Sequence, residues 1–70
     1  MQNIRLYLLS KKANEMEITV SQKHYHAQVF GKVLEVGENF FVLRQDSANG
    51  YYEYAIPFEN IGLIEVHDRY

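Results

Sequence analysis

Residues 31–57 are the part of this sequence that most restricts the folds open to it. They contain three runs of β-branched and aromatic residues, separated by turn signals at 37–39 and 46–50. Such runs, with glycine, asparagine or aspartate between them, are typical of antiparallel strands joined by short turns. The segment therefore predicts a three-stranded meander, and the flanking residues are expected to extend it.

The flanking residues add two more strands, and the second strand carries a bend. Strands are predicted at 17–21, 27–36, 40–44, 51–56 and 61–66, with a 3₁₀ turn at 58–60. The second strand is apolar on both faces, with Val29, Gly31 and Val33 on one and Phe30, Leu34 and Val36 on the other. Such a strand is bent or covered on both sides, and a central glycine permits a bend or a close backbone approach. Gly31 is the predicted position of the bend.

Residues 2–14 support two alternatives. Leu6, Leu9 and Ala13 recur at helical spacing, Asn3 is an acceptable N-cap, and lysines in the last turns suit the helix dipole. Residues 4–9 also alternate as a strand would. We expect a short amphipathic helix, because no turn residue precedes Ser10 and the segment then continues into good helix formers.

The small size of the chain limits how it can be stabilised. It has 70 residues, no cysteine and a hydrophobic fraction of 47%. One core of this size is marginal and disulfides are excluded, so association between subunits is the remaining source of buried area. Five short strands bury a core only if they curl. The predicted fold is mainly β: a small five-stranded, strongly bent antiparallel barrel with a short N-terminal helix, in one domain at 1–70 (helix 2–14, barrel 17–66, polar tail 67–70).

The sequence lacks the signals that are typical of membrane proteins, secreted proteins and several classes of enzyme. There is no apolar run of membrane-spanning length and no signal-peptide pattern, so a cytoplasmic protein is expected. No nucleophile elbow, phosphate loop or paired-carboxylate motif is present, so neither an enzyme nor a small-molecule substrate nor a cofactor is expected. His24 and His26 would share one face of a strand, but without neighbouring carboxylates they predict solvated turn residues rather than metal ligands.

Three short strings carry a family resemblance. The chain resembles Hfq, the bacterial branch of the Sm-like family, in three places. The string VFGKVLEV is similar to the first motif of that family, and FFVLR is similar to its third strand. The string YEYAIP is similar to the Hfq string of tyrosine, lysine, histidine, alanine, isoleucine and serine. The resemblance implies an Sm-like barrel in a ring of six or seven subunits, strand four of one protomer pairing with strand five of the next. It also implies single-stranded RNA bound near the pore or on a ring face. Such pairing is physically reasonable, because an open barrel has two unpaired edges that a closed ring satisfies.

The sequence departs from the Hfq pattern at the pore. Glu53 stands at the lysine position and Tyr54 at the histidine position, and the turn at 37–39 is longer and replaces an acidic residue of the family. A glutamate repeated around a ring would repel phosphate. These departures argue against the uridine-type recognition that the family implies.

Two sets of residues are predicted to contact RNA. The first occupies the base-contact positions that the resemblance implies, and its aromatic members could stack on bases. The second is the densest basic group, which on a ring would repeat as a positive crown. The sets are Asn39, Phe40 and Tyr54, and Arg5, Lys11 and Lys12.

Both sets of predicted RNA contacts also have purely structural explanations, and the function has an alternative. The aromatic residues of so small a barrel are needed mostly for its core, and the basic residues also suit a solvated helix face. Seven basic against nine acidic residues, a formal charge of −2, disfavour a general nucleic-acid binder. The alternative function is a non-catalytic protein–protein interaction module of the same fold with no nucleic-acid role, which Glu53 also favours.

Overall fold

One helix and five strands make up the fold, and the computed structural model describes residues 2–24 and 27–67. The elements are α1 (Gln2–Ala13), β1 (Glu17–Gln22), β2 (Gln28–Val36), β3 (Phe40–Ser47), β4 (Gly50–Pro57), a 3₁₀ turn (Phe58–Asn60) and β5 (Ile61–Val66). The predicted N-terminal helix is confirmed over the strand alternative. No helix in the described residues has both the length and the apolar character needed to cross a membrane.

The five strands form one antiparallel sheet with the order β4-β3-β2-β1-β5. The mainly β, five-stranded antiparallel architecture is therefore confirmed. The two outermost strands, β4 and β5, do not pair with each other, so the sheet is open and the predicted barrel is not confirmed. Both edges belong to the last two strands of the chain.

A single core lies between the inner face of the sheet and α1. Its members are the buried side chains of Leu8, Ile18, Val20, Val29, Val33, Phe41, Leu43 and Ile56. Every strand except β5 contributes at least one buried residue, and β5 packs against the core with half-buried ones. The alternation of apolar residues in the central strands is the reason that one face of the sheet is continuous and apolar.

The helix packs through a different face from the predicted one. Leu8 is fully buried and Ile4 packs against the core, whereas Leu6 is 62% exposed and Ala13 is also exposed. Ile4 and Leu8 are one helical turn apart, so their side chains form a single contact with the sheet. Of the three residues predicted at helical spacing, Leu6 and Ala13 are exposed and Leu9 is half-buried, so none of them is a fully buried contact with the sheet.

A β-bulge at Leu34 changes the face of β2. The register with β3 shifts between Val33 and Glu35, so Leu34 and Glu35 are both exposed and Val36 packs against the core. The prediction that Val36 lies on the opposite face from Val33 was therefore wrong. One extra residue in a strand reverses the alternation beyond it, and it also bends the strand.

Gly31 allows the backbones of β2 and β3 to approach closely. A Cβ atom at this position would collide with the main-chain carbonyl oxygen of Arg44 and lie 2.8 Å from its carbonyl carbon. Both obstructing atoms belong to the backbone, so no side-chain rotation would relieve the collision. The glycine in this strand therefore serves a close backbone approach, and the predicted bend at Gly31 stays a prediction.

The β3–β4 hairpin is longer and tighter than predicted. Strand β3 continues to Ser47, which pairs directly with Gly50, so only residues 48 and 49 form the turn. The Ser47 hydroxyl also donates to the Gly50 carbonyl oxygen at 3.2 Å. The prediction of a turn over 46–50 was too long because pairing continues through the polar residues Asp46 and Ser47.

Candidate functional site

The 3₁₀ turn holds two hairpin turns against each other. The backbone N–H of Phe58 donates to the carbonyl oxygen of Asn39, in the β2–β3 turn, at 2.8 Å. The backbone N–H of Lys23, after β1, donates to the carbonyl oxygen of Asn60 at 2.9 Å. Three connections that are far apart in sequence therefore meet at one end of the sheet.

Asn60 fixes this meeting point through its side chain. It is only 5% exposed, its Oδ1 accepts from the backbone N–H of His24 at 3.1 Å, and its Nδ2 donates to Oε1 of Gln22 at 2.9 Å. A buried amide is stable when its donor and acceptor are both used, as they are here. Asn60 is therefore a positioning residue for the segment that carries Lys23.

A groove of about 760 Å³ opens where the three connections meet. We call it the turn groove. Its floor is apolar and its rim carries charges of both signs and one amide. The lining residues are Ile4, Pro57, Phe58 and Ile61 (apolar), Arg5 and Lys23 (basic), Glu38 and Glu59 (acidic) and Asn39 (amide). Its volume lies in the range of small-ligand sites.

The charges of the turn groove are not neutralised by ion pairs with one another. Arg5 uses its Nε to donate to the carbonyl oxygen of Gly37 at 3.1 Å, which holds the guanidinium against the β2–β3 turn. The one salt bridge within residues 2–24 and 27–67 joins Arg44 to Asp46, outside the groove. The two cations and two carboxylates of the rim are therefore available to a ligand.

The structure brings two of the six predicted contacts together. Arg5 and Asn39 both line the turn groove. Phe40 follows Asn39 directly and is 41% exposed, but its ring lies against Gly37 and does not line the groove. Tyr54 is half-buried in β4, packs against the core, and its ring stacks on that of Tyr52 with centroids 6.5 Å apart.

The predicted basic group is divided between separate places. The amino group of Lys11 lies 5.0 Å from the centroid of the Tyr7 ring. Lys12 lines a separate depression of about 250 Å³, together with Lys32 and Arg44. Because Arg5 and Lys12 are almost two helical turns apart, their Cα atoms are separated by roughly 10 Å along the helix axis.

Seven of the nine residues that line the turn groove were not among the predicted contacts, and four of the seven stand in connections between strands. Lys23, Glu38, Phe58 and Glu59 line it, yet each stands in a turn with no recognisable motif. Their proximity depends on hydrogen bonds between distant connections, which local patterns do not encode. The one available signal was that all four adjoin the ends of predicted strands.

The two edges of the sheet form a second exposed feature. On β4, Tyr51 and Tyr52 are 53% and 58% exposed, and on β5, Leu63 is 55% exposed. Each edge strand carries a single charged side chain, Glu53 or Glu65. Edges that are apolar and weakly charged are suited to pairing with another strand.

The histidine pair has no metal-site geometry in the described residues. His24 is exposed in the turn after β1, and His26 lies outside the described residues. Within the described part of the chain no three His, Asp or Glu side chains are grouped as metal ligands.

Comparison with known proteins finds no relative. No family model, no curated protein and no solved structure matches the chain.

Proposed function

We propose that this protein is an Sm-like, ring-forming protein that binds single-stranded RNA through the turn groove. The observation that carries the proposal is the strand order, which places β4 and β5 at opposite edges of one open sheet. This is the arrangement that the sequence resemblance implies. The helix before β1 and the glycine in β2 at a close backbone approach are further support.

Ring formation follows from the two free edges. In the proposed assembly, β4 of one protomer pairs with β5 of the next, and the closed rotation leaves no strand unpaired. The contact would cover Tyr52 and Leu63, which are more than half exposed in a single chain. A six- or seven-membered ring of barrel-like protomers is the form that we propose.

RNA binding is proposed from the chemistry of the turn groove. Arg5 and Lys23 line it and would contact phosphates, while Pro57 and Phe58 give an apolar surface for a base. Asn39 supplies an amide that can donate and accept. In a ring the groove is repeated in each subunit, so that weak individual contacts add along one RNA strand.

Two measurements test this proposal. Size-exclusion chromatography with light scattering should give the mass of a closed oligomer, and a stable monomer at micromolar concentration would contradict the ring. Binding of short single-stranded RNA should weaken steeply as salt increases, because phosphate contacts release counterions.

A matched pair of variants links RNA binding to the groove. Arg5→Glu combined with Lys23→Glu should reduce RNA affinity by about 10-fold or more at low salt and flatten the salt dependence. Lys12→Glu combined with Lys32→Glu is the control with the same change of charge, since both lysines are exposed and lie outside the groove. Equal losses in both variants would mean that the groove is not the RNA site.

A second candidate function is a protein–protein interaction module of the same fold. The observation that favours it is the balance of charge in the groove, where Glu38 and Glu59 offset Arg5 and Lys23. A site of zero formal charge has little general attraction for a polyanion. The absence of detectable RNA binding at low salt would leave this function in place of the first.

A further inference from the structure

The carboxylates of the turn groove distinguish it from a general phosphate site. Glu38 and Glu59 come from two different connections, the β2–β3 turn and the 3₁₀ turn, and both are exposed at the same rim. Neither forms an ion pair with the nearby cations within the described residues. An ionised carboxylate can only accept hydrogen bonds. The rim therefore presents carboxylate acceptors, beside the donors of its basic and amide side chains, to a base that enters the groove.

The bases differ in how well they meet such acceptors. Guanine has an N1–H and a 2-amino group side by side on its Watson–Crick edge, and the two donors match the two oxygens of a carboxylate. Adenine and cytosine offer one exocyclic amino group to a carboxylate. Uracil offers two carbonyl oxygens and a single N–H, so it would place acceptors against acceptors.

We propose that the turn groove selects guanine in single-stranded RNA, with Glu38 or Glu59 accepting from its N1–H and 2-amino group. This inference depends on the proposed RNA-binding function and specifies the base at the same site. It predicts the order guanine first, then adenine or cytosine, and uracil last.

The remaining lining residues suit a purine nucleotide. The Phe58 ring is half-buried and backed by the Phe41 ring, with centroids 6.2 Å apart and planes inclined by 31°, so its position is fixed by the core. The fixed ring and the exposed Pro57, its neighbour in sequence, both line the groove and supply apolar surface for a base. Arg5 and Lys23 are placed at the rim for the flanking phosphates.

The position of Asn39 also fits this assignment. Its carbonyl oxygen is engaged by the backbone of Phe58, which ties the turn that carries Glu38 to the connection that carries Glu59. The two carboxylates are therefore held at one site by backbone hydrogen bonds, even though their side chains are exposed.

The test uses the full chain and fluorescently labelled oligouridine in which one central base is guanine, inosine or uracil. Inosine has the N1–H of guanine but lacks the 2-amino group. Measured by fluorescence anisotropy, the guanine oligonucleotide should bind about 10-fold more tightly than the all-uracil one, with inosine between them.

Variants in which amides replace the two carboxylates separate base recognition from electrostatic repulsion. Glu38→Gln combined with Glu59→Gln should reduce the guanine preference to less than about 2-fold. The same variant should bind the all-uracil oligonucleotide more tightly than the parent protein, since two negative charges are removed from the site. Glu15→Gln combined with Glu35→Gln is the matched control, because both residues are exposed, outside the groove and away from the edge strands, and it should keep the preference.

The outcomes separate the two proposals. Binding of all three oligonucleotides with equal affinity, or preference for uracil, would overturn the guanine assignment and leave the RNA-binding function intact. Retained preference in the Glu38 and Glu59 variant would also overturn it. No binding of any oligonucleotide at low salt, by protein that circular dichroism shows to be folded, would overturn both.

Discussion

The 3₁₀ turn and the two sheet edges differ in how many of their backbone N–H and C=O groups are hydrogen-bonded within a single chain. At the 3₁₀ turn, N–H groups of Lys23, His24 and Phe58 are all bonded to groups of distant connections. Along the outer sides of β4 and β5, alternate N–H and C=O groups face away from the sheet, as they do in any edge strand. The 3₁₀ turn should therefore contribute to the stability of the single chain, and the edge strands to its assembly with other chains. Substitutions in the two regions should therefore have different kinds of effect.

The largest expected effect comes from Gly31→Ala, in the interior of the sheet. The added Cβ would collide with the backbone of Arg44, so we expect a loss of about 3 kcal/mol in the free energy of unfolding. Gly50→Ala is the control: Gly50 has φ +144° but nothing within 4 Å of the added atom, and backbone strain alone should cost about 1 kcal/mol. Urea denaturation of both variants measures the difference, and equal losses would contradict the close approach.

A smaller loss is expected at the 3₁₀ turn. Asn60→Ala removes two side-chain hydrogen bonds and leaves the N–H of His24 and the amide of Gln22 without their partner, which should cost about 2 kcal/mol. Asn39→Ala, at an exposed side chain of the same junction, should change the free energy of unfolding by less than about 0.5 kcal/mol. If Asn39→Ala also lowers RNA affinity, its side chain acts in binding and not in folding.

At the edges, the expected change is in assembly. Leu63→Lys places a charge on the edge strand β5 and should prevent ring formation, because charged residues on edge strands oppose pairing with another chain. The unfolding midpoint of the parent protein should rise with protein concentration, and that of Leu63→Lys should not. Leu6→Lys is the matched control, because Leu6 is similarly exposed but lies on the helix. Loss of assembly in both variants would contradict pairing through β5.

The smallest effect is expected at the tip of the β3–β4 hairpin. The guanidinium carbon of Arg44 lies 4.1 Å from the centroid of the Tyr51 ring, and both side chains are exposed. Tyr51→Leu, made in the Leu63→Lys background to exclude assembly, should cost about 0.5 kcal/mol. A loss several times larger would mean that the hairpin tip contributes to the core.

Most of the fold could be predicted from the sequence because the strands obey a local rule. Alternation in β1, β3 and β4, and turn residues between them, were enough to place the strands to within a few residues. The rule failed where one extra residue interrupts it: nothing in the sequence of β2 identifies Leu34 as the bulge, and Val36 was therefore assigned to the wrong face. The packed face of α1 was missed for a related reason, since the choice of Leu8 over Leu6 is made by the sheet.

The candidate site was predicted only in part. Arg5 and Asn39 were singled out and do lie together, but Lys23 and Glu59 adjoin them only because Asn60 holds two connections in place. That contact spans 36 residues between His24 and Asn60. Hydrogen bonds of such sequence separation are set by the finished fold, and a pattern read along the chain does not contain them.

Two connections of the sheet are bonded to the same 3₁₀ turn, and this affects how the molecule opens. Because the segment after β1 and the β2–β3 turn are both bonded to Phe58–Asn60, neither can separate from the sheet end without loosening the other. Amide hydrogens of Lys23, His24 and Phe58 would then share one free energy of opening in exchange with solvent deuterium, and the rim of the groove would open and close as a single cooperative unit.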